Sequence, residues 1–189
     1  MPSVRRAAAV AAVAAVARFG LVHDGPGTIR GVMGTDAYRE AAGHFTTGVA
    51  VITTSHEGRR YGVTASAVSS LSLDPPMLLV CLNRSLATRD AVVATRRFAV
   101  NVLAEDQAAL AMQFATRAPD KFAGVAVEDG LDGVPLLTAA LAHLQCTVVD
   151  PVDAATHTVL LAEVDGVAVG EGNPLAYFRG SFGRFEMAA

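Results

Sequence analysis

A single lysine, Lys121, serves a chain of 189 residues, and charged side chains of all kinds make up only 17% of it. With a net charge of −3 and no basic run beyond paired arginines, no cationic field draws the chain onto nucleic acid. Cysteine is almost as scarce. Cys81 and Cys146 lie in alternating apolar runs, where a thiol reads as a small buried hydrophobe rather than half of a bridge. No Cys or His pair has zinc spacing and the five histidines are scattered, which argues against metal chemistry. The glycine signature of the dinucleotide fold is missing: Gly170-Glu171-Gly172 runs into Asn173-Pro174, which ends structure instead of opening a helix. A phosphate loop is excluded, because the one lysine follows Asp120. Long apolar runs are missing too. Ala7 to Ala17 holds only Ala and Val, follows Arg5-Arg6 and stops at Arg18, far below the ~20 residues that span a membrane.

What is present is a hydrophobic content of 52%, enough for one well-packed domain with a sizeable core. The first 33 residues stand apart: Met1 to Met33 carries four Arg and one Asp, a net +3, so the remainder carries −6. We read residues 1–33 as an extension, disordered or upstream of a mis-set start, with a weak signal or targeting peptide as the alternative. Residues 34–189 form the domain, expected in the cytoplasm.

Along that domain, Asp36 to His44 reads as a short helix, with Thr35 or Asp36 as N-cap. Gly48 to Thr54 is β-branched and apolar, Ser55 to Arg60 supplies a hairpin turn, and Tyr61 to Ala67 returns as strand. Met77 to Leu82 is a continuous apolar run, suited to a strand buried on both faces. Ser85 can cap a helix ending near Thr95, and Phe98 to Leu103 is again strand. Glu105-Asp106 places acidic residues in the first turn of a helix through Phe114, and Pro119 marks Thr116 to Phe122 as loop. Leu144, Cys146 and Val148 alternate with polar residues, and Thr156 to Val169 is β-rich, broken at Asp165-Gly166. Leu175 to Phe178 and Phe182 to Phe185 are the last strands. Seven or so strands with two or three helices and no βαβ alternation predict a mainly β protein, a β-barrel with flanking helices.

The organising stretch is Tyr61 to Pro76, with five hydroxyl side chains between Thr64 and Ser72 among small neighbours. On its residues alone it is either an ordinary Ser/Thr-rich strand and turn or a surface that holds a polar anion. Asn83-Arg84-Ser85 with Thr88 is the other candidate. An arginine at a strand exit beside the exposed N–H groups of a helix N-terminus makes a phosphate site, or else a solvated arginine next to a routine cap.

Gly62-Val63-Thr64-Ala65-Ser66, with Thr46-Thr47-Gly48-Val49 upstream and Ser70 and Ser72 after it, resembles the flavin-binding stretch of the flavin reductase-like family. The resemblance runs from about Asp36 to Phe185. It implies an FMN-binding split barrel, FMN or FAD as cofactor, and NADH or NADPH as hydride donor, with hydride passing from the nicotinamide C4 to flavin N5. It assigns to flavin binding Thr46, Thr47, Gly48, Val49, Thr64, Ala65, Ser66, Ser70, Ser72, Asn83, Arg84, Ser85, Thr88, Lys121 and Phe122. Tyr177 and Arg179 fall in a C-terminal motif near the nicotinamide. His157 keeps the histidine of a family Gly-Asp-His signature, here Ala155-Thr156-His157, and is the candidate catalytic residue. A homodimer, and a flavin-dependent monooxygenase that receives reduced flavin, are implied as partners. Alternatives are an enzyme of the same barrel that keeps its flavin for its own substrate, and a flavin-binding electron carrier or sensor without nicotinamide activity.

Overall fold

The computed structural model describes residues 34–187, so the expected extension, with Arg5, Arg6 and His23, lies outside the described residues. The chain divides into two units, Met1–Tyr38 and Arg39–Ala189. In order the elements are α1 (Thr35–Ala42), β1 (Thr47–Gly48), β2 (Ala50–His56), β3 (Arg59–Ala65), β4 (Val68–Leu73), β5 (Pro76–Asn83), α2 (Ala87–Thr95) and β6 (Arg97–Val102). They continue with α3 (Ala108–Ala115), β7 (Val127–Asp129), a 3-10 turn at Leu131–Gly133, β8 (Pro135–Leu137), β9 (Ala142–Ala154), β10 (His157–Val169), β11 (Leu175–Phe178) and β12 (Ser181–Arg184). None of the described helices is long and apolar enough to cross a membrane.

The mainly β expectation holds. Seven strands form one antiparallel sheet in the order β3-β2-β6-β9-β10-β5-β4. Its two edge strands, β3 and β4, are consecutive in the chain and joined only by Ser66 and Ala67. Two linking residues reach roughly 10 Å, so the sheet must roll until its edges nearly meet. The result is an open, split barrel. The β4–β5 ladder extends one residue toward the seam, where the Cys81 N–H donates to the Ala67 carbonyl at 3.0 Å.

β2 and β3 show why the hairpin is tighter than expected. Only Glu57 and Gly58 form the turn, both with positive φ (50° and 72°), which matches the twist of the flanking strands. Ser55, His56, Arg59 and Arg60, expected in the turn, therefore stay in the ladder. Along β2 the period of two sends Ala50 and Ile52 into the barrel core and Val51 into a second core outside it. Val80, Leu82, Phe98, Leu160 and Val92 of α2 fill the first core, while Leu103, Phe114, Leu137 and Leu175 form the second. β5 does not match its expectation of burial on both faces: Leu78, Val80 and Leu82 are buried, but Met77, Leu79 and Cys81 remain half-exposed. Both cysteines are free thiols, and burial pushes Cys146 up to about 12.

Three other local expectations change. Ser85 does not cap α2; Leu86 occupies the N-cap position, and the Ser85 hydroxyl instead donates to Asn83 Oδ1 at 2.9 Å. α3 begins at Ala108 rather than Glu105, because Ala104 bridges to Pro174 and the Glu105 N–H donates to the Asn173 carbonyl. At Asp165-Gly166 the long strand does not break. β9 and β10 stay paired through a register shift between Val164 and Gly166, a bulge that bends the ribbon without ending it. A separate small sheet, β1-β11-β12, joins the region before β2 to the C-terminal strands.

Candidate functional site

A cavity of about 1100 Å³ opens between the β2–β3 hairpin, the first turn of α2 and the loop after α3. Of the residues expected at the site, it gathers Ser85, Thr88, Lys121 and Phe122, and adds Arg59, Tyr61 and Arg117 among others. The loop is pinned from beneath. Gln113 Nε2 donates to the Lys121 and Ala123 carbonyls at 2.9 and 3.0 Å, and Lys121 Nζ donates to the Gly62 and Phe114 carbonyls at 3.1 and 2.9 Å. Burial pushes the Lys121 ammonium below its ordinary value. The Phe122 ring meets Phe114 edge-on with centroids 5.0 Å apart. On the facing side, Leu86 accepts from the Arg89 and Asp90 N–H groups, which leaves the N–H groups of Ala87 and Thr88 at the open end of α2. That end favours an anion.

A second group forms where β10 begins. His157 pairs with Asn83 across the β5–β10 ladder, so the histidine and the Asn83-Arg84-Ser85 segment become neighbours although distant in sequence. His157 is exposed, and its Nδ1 shares a 2.9 Å hydrogen bond with the Thr156 hydroxyl. Arg84 is half-exposed, with Nη1 3.4 Å from the Ala155 carbonyl and Nη2 3.7 Å from Asp153 Oδ2. Asp153 also receives Arg89 Nη2 at 3.0 Å and the buried Thr158 hydroxyl at 2.7 Å. The Thr158 hydroxyl, followed by Arg89 and the Arg84 charge, holds its carboxyl below the ordinary carboxylate range.

The remaining candidates fall in two places. In the small sheet Thr47 pairs with Tyr177 and Gly48 with Ala176, Val49 is buried beside them, Thr46 is exposed just before β1, and Arg179 sits in the β11–β12 turn at a φ of 48°. Thr47 Oγ1 is buried without a hydrogen-bond partner among the described residues. At the barrel seam Thr64 donates to the Ala111 carbonyl at 2.6 Å and Ser72 accepts from the Asp74 N–H at 3.2 Å, while Ala65 is half-exposed and Ser66 and Ser70 are exposed. Neither group lines the cavity.

Sequence reading missed Arg59, Tyr61 and Arg117 in the cavity, and the Arg89-Asp153-Thr158 cluster. The paired arginines Arg59-Arg60 were visible only as charge. The cluster joins residues 64 and 69 positions apart, which no local pattern displays.

The cavity's donors fit an anionic, ring-bearing ligand: open N–H groups and guanidiniums for charge, and Tyr61 and Phe122 for flat surface. Among the described residues, no group of three His, Cys, Asp or Glu side chains could hold a metal. An open antiparallel barrel with such a cavity defines a cofactor-binding split-barrel protein. Residues 42–186 match the flavin reductase like domain family, and the chain belongs to that family. It is 51% identical over 148 residues, 78% of this chain and 80% of the relative, to the reductase component of 4-nitrophenol 4-monooxygenase/4-nitrocatechol 2-monooxygenase of Rhodococcus opacus. It is 40% identical over 146 residues, 76% of this chain and 81% of the relative, to the FMN reductase (NADH) RutF of Ancylobacter novellus. Among solved structures, the NADH:FAD oxidoreductase SgcE6 of Streptomyces globisporus C-1027, in complex with NAD and FAD fragments, superposes with a TM-score of 0.76 at 32% identity, over 80% of this chain and 92% of that one.

Proposed function

We propose that the protein is an NAD(P)H-dependent flavin reductase that supplies reduced flavin to a partner monooxygenase. The observation that carries this reading is the pairing of His157 with Asn83, which sets a histidine expected at the nicotinamide beside a segment expected at the flavin phosphate. When bound, the flavin supplies the hydride acceptor and the nicotinamide the donor. Arg84 and the open N–H groups of Ala87 and Thr88 hold the phosphate. Ser66, Ser70 and Ser72 line the ring and ribityl chain along the seam, with Thr64 and Ala65 at the end of β3. Thr46, Thr47, Gly48 and Val49, with Tyr177 and Arg179, form the far wall toward the nicotinamide. Lys121 fixes the carbonyls of Gly62 and Phe114 and so shapes the floor under Phe122. His157 orients the nicotinamide, its ring set by Thr156.

The enzyme works as a homodimer. Leu71 and Leu73 on edge strand β4 are 41% and 89% exposed, and the outer face of β5 is half-exposed beside them, so a second copy has apolar surface to cover. Sedimentation showing a monomer that still binds flavin at micromolar concentration overturns the dimer.

Mixing the purified protein with FMN or FAD and then NADH or NADPH without oxygen tests the function. Rapid bleaching of flavin absorbance, with turnover in excess free flavin, is expected. Binding without bleaching identifies a carrier or sensor, and bleaching limited to one stoichiometric flavin identifies an enzyme that keeps its cofactor.

A further inference from the structure

The proposed site of the flavin phosphate is the first turn of α2, and the cavity continues past it to the β2–β3 hairpin and the loop after α3. That outer half is cationic. Its lining includes Arg59, Arg60, Arg117 and Lys121 against one acidic side chain, Asp120. These charges are not equivalent. Arg60 is paired with Asp129 at 3.4 Å, and the Lys121 ammonium is turned inward to two carbonyls. Asp120 Oδ1 is occupied by the Phe122 N–H at 2.9 Å. Among the described residues, Arg59, over the Tyr61 ring at 5.2 Å, has no acidic partner and Arg117 has no partner. Two uncompensated guanidiniums therefore face one open cavity, a poor arrangement for an empty surface and a good one for a multiply charged anion. The volume of about 1100 Å³ lies just above the range of ordinary ligand pockets, about 300–1,000 Å³.

We infer that Arg59 and Arg117 bind the second phosphate of FAD, the one that carries the adenosine and that FMN lacks, so that this chain prefers FAD to FMN. The inference rests on the reading that the first turn of α2, at the cavity's inner end, holds the flavin phosphate. Family membership does not make the choice, because one relative is named for FMN and a structural neighbour for FAD. FMN ends at the phosphate beside α2 and leaves both arginines idle. FAD extends a second phosphate and an adenosine outward, where Arg59, 5.2 Å from the Tyr61 ring centroid, offers charge beside an aromatic face.

The test measures dissociation constants of FAD, FMN and ADP for the wild-type protein, Arg59→Ser, Arg117→Ser and the double variant by flavin fluorescence and calorimetry. Both side chains are exposed, so an unchanged thermal melt is the folding control. Wild type should bind FAD about tenfold or more tighter than FMN at low salt, with the gap narrowing as salt rises. The double variant should lose that gap, with FMN affinity held within about twofold. ADP should compete with FAD in wild type and not in the double variant. Equal FAD and FMN affinities in wild type, or equal losses of both in the double variant, overturn the inference. A weakened NADH interaction with FAD affinity intact also overturns it, by assigning the ADP site to the nicotinamide. Failure of the flavin reading itself looks different: wild type then binds neither flavin.

Discussion

Gly62 faces the Phe114 ring so closely that a Cβ placed there would lie 2.4 Å from Cε1 and 2.6 Å from Cδ1. The glycine in Tyr61-Gly62-Val63 is thus required by packing: Phe114 is fully buried and cannot swing away. Gly62→Ala should force that ring, and Phe122, whose Cζ lies 3.2 Å from the same Cβ, out of place. The expected cost is about 1–3 kcal/mol in urea unfolding, as for other overpacked cores. The cavity floor is built on the same ring, so flavin affinity should weaken as well. An unchanged unfolding midpoint would show that the second core gives way more easily than this geometry allows.

A pH signature follows from Asp153. Its folded pKa lies below the ordinary 3.8, first through the Thr158 hydroxyl and then through Arg89 and Arg84. A depressed carboxylate contributes stability that is full above its unfolded pKa and is lost as pH falls through the folded one. Asp153→Asn should therefore be less stable than wild type at neutral pH. The difference should shrink as pH drops below 3.8. Urea unfolding of both proteins between pH 7 and pH 3 checks this, and a pH-independent difference would mean that the asparagine disrupts packing rather than charge.

These two cases mark what the sequence could and could not disclose. Strands such as β2, β5 and β10 were legible because β-branched and apolar residues alternate or run together over strand length. Their closure was not. Ser66 and Ala67 read as the end of the strand Tyr61 to Ala67, yet they carry the chain from one edge of the sheet to the other, which is a long-range fact. Ser85 resembles a cap in isolation, but Asn83 Oδ1 takes both its N–H and its hydroxyl, and the helix starts beyond it. At the site, motif residues were visible through the family resemblance, whereas Arg89 and Asp153 meet only after β5 and β9 are both laid against β10.

His157→Ala should slow flavin reduction by the nicotinamide about tenfold or more, on the order of 1.4 kcal/mol in barrier. Flavin affinity should stay within about twofold. The side chain is exposed and, among the described residues, bonds only to the neighbouring Thr156, so folding is not at stake. Stopped-flow reduction and flavin titration on one preparation separate the two effects. Reduction at the wild-type rate with flavin affinity lost would move His157 to the flavin pocket.

Arg84 offers the sharpest test because its present bonds are weak. Its guanidinium reaches Asp153 at 3.7 Å and the Ala155 carbonyl at 3.4 Å, both long for charge-assisted contacts, and Asp153 is already engaged by Arg89 and Thr158. Such an arginine can turn to an incoming phosphate at small cost. Arg84→Ala then removes a charge-assisted contact of about 1.5–3 kcal/mol. FMN affinity should fall by roughly ten- to a hundredfold, since about 1.4 kcal/mol is a factor of ten. Riboflavin has the ring and ribityl chain without the phosphate and should bind almost as before. A residue that touched the ring would weaken both ligands alike, and an arginine that only braces the β9–β10 turn would weaken neither while lowering the unfolding midpoint. Titrating both ligands against wild type and variant therefore distinguishes all three roles, and either of the last two patterns removes Arg84 from the phosphate site.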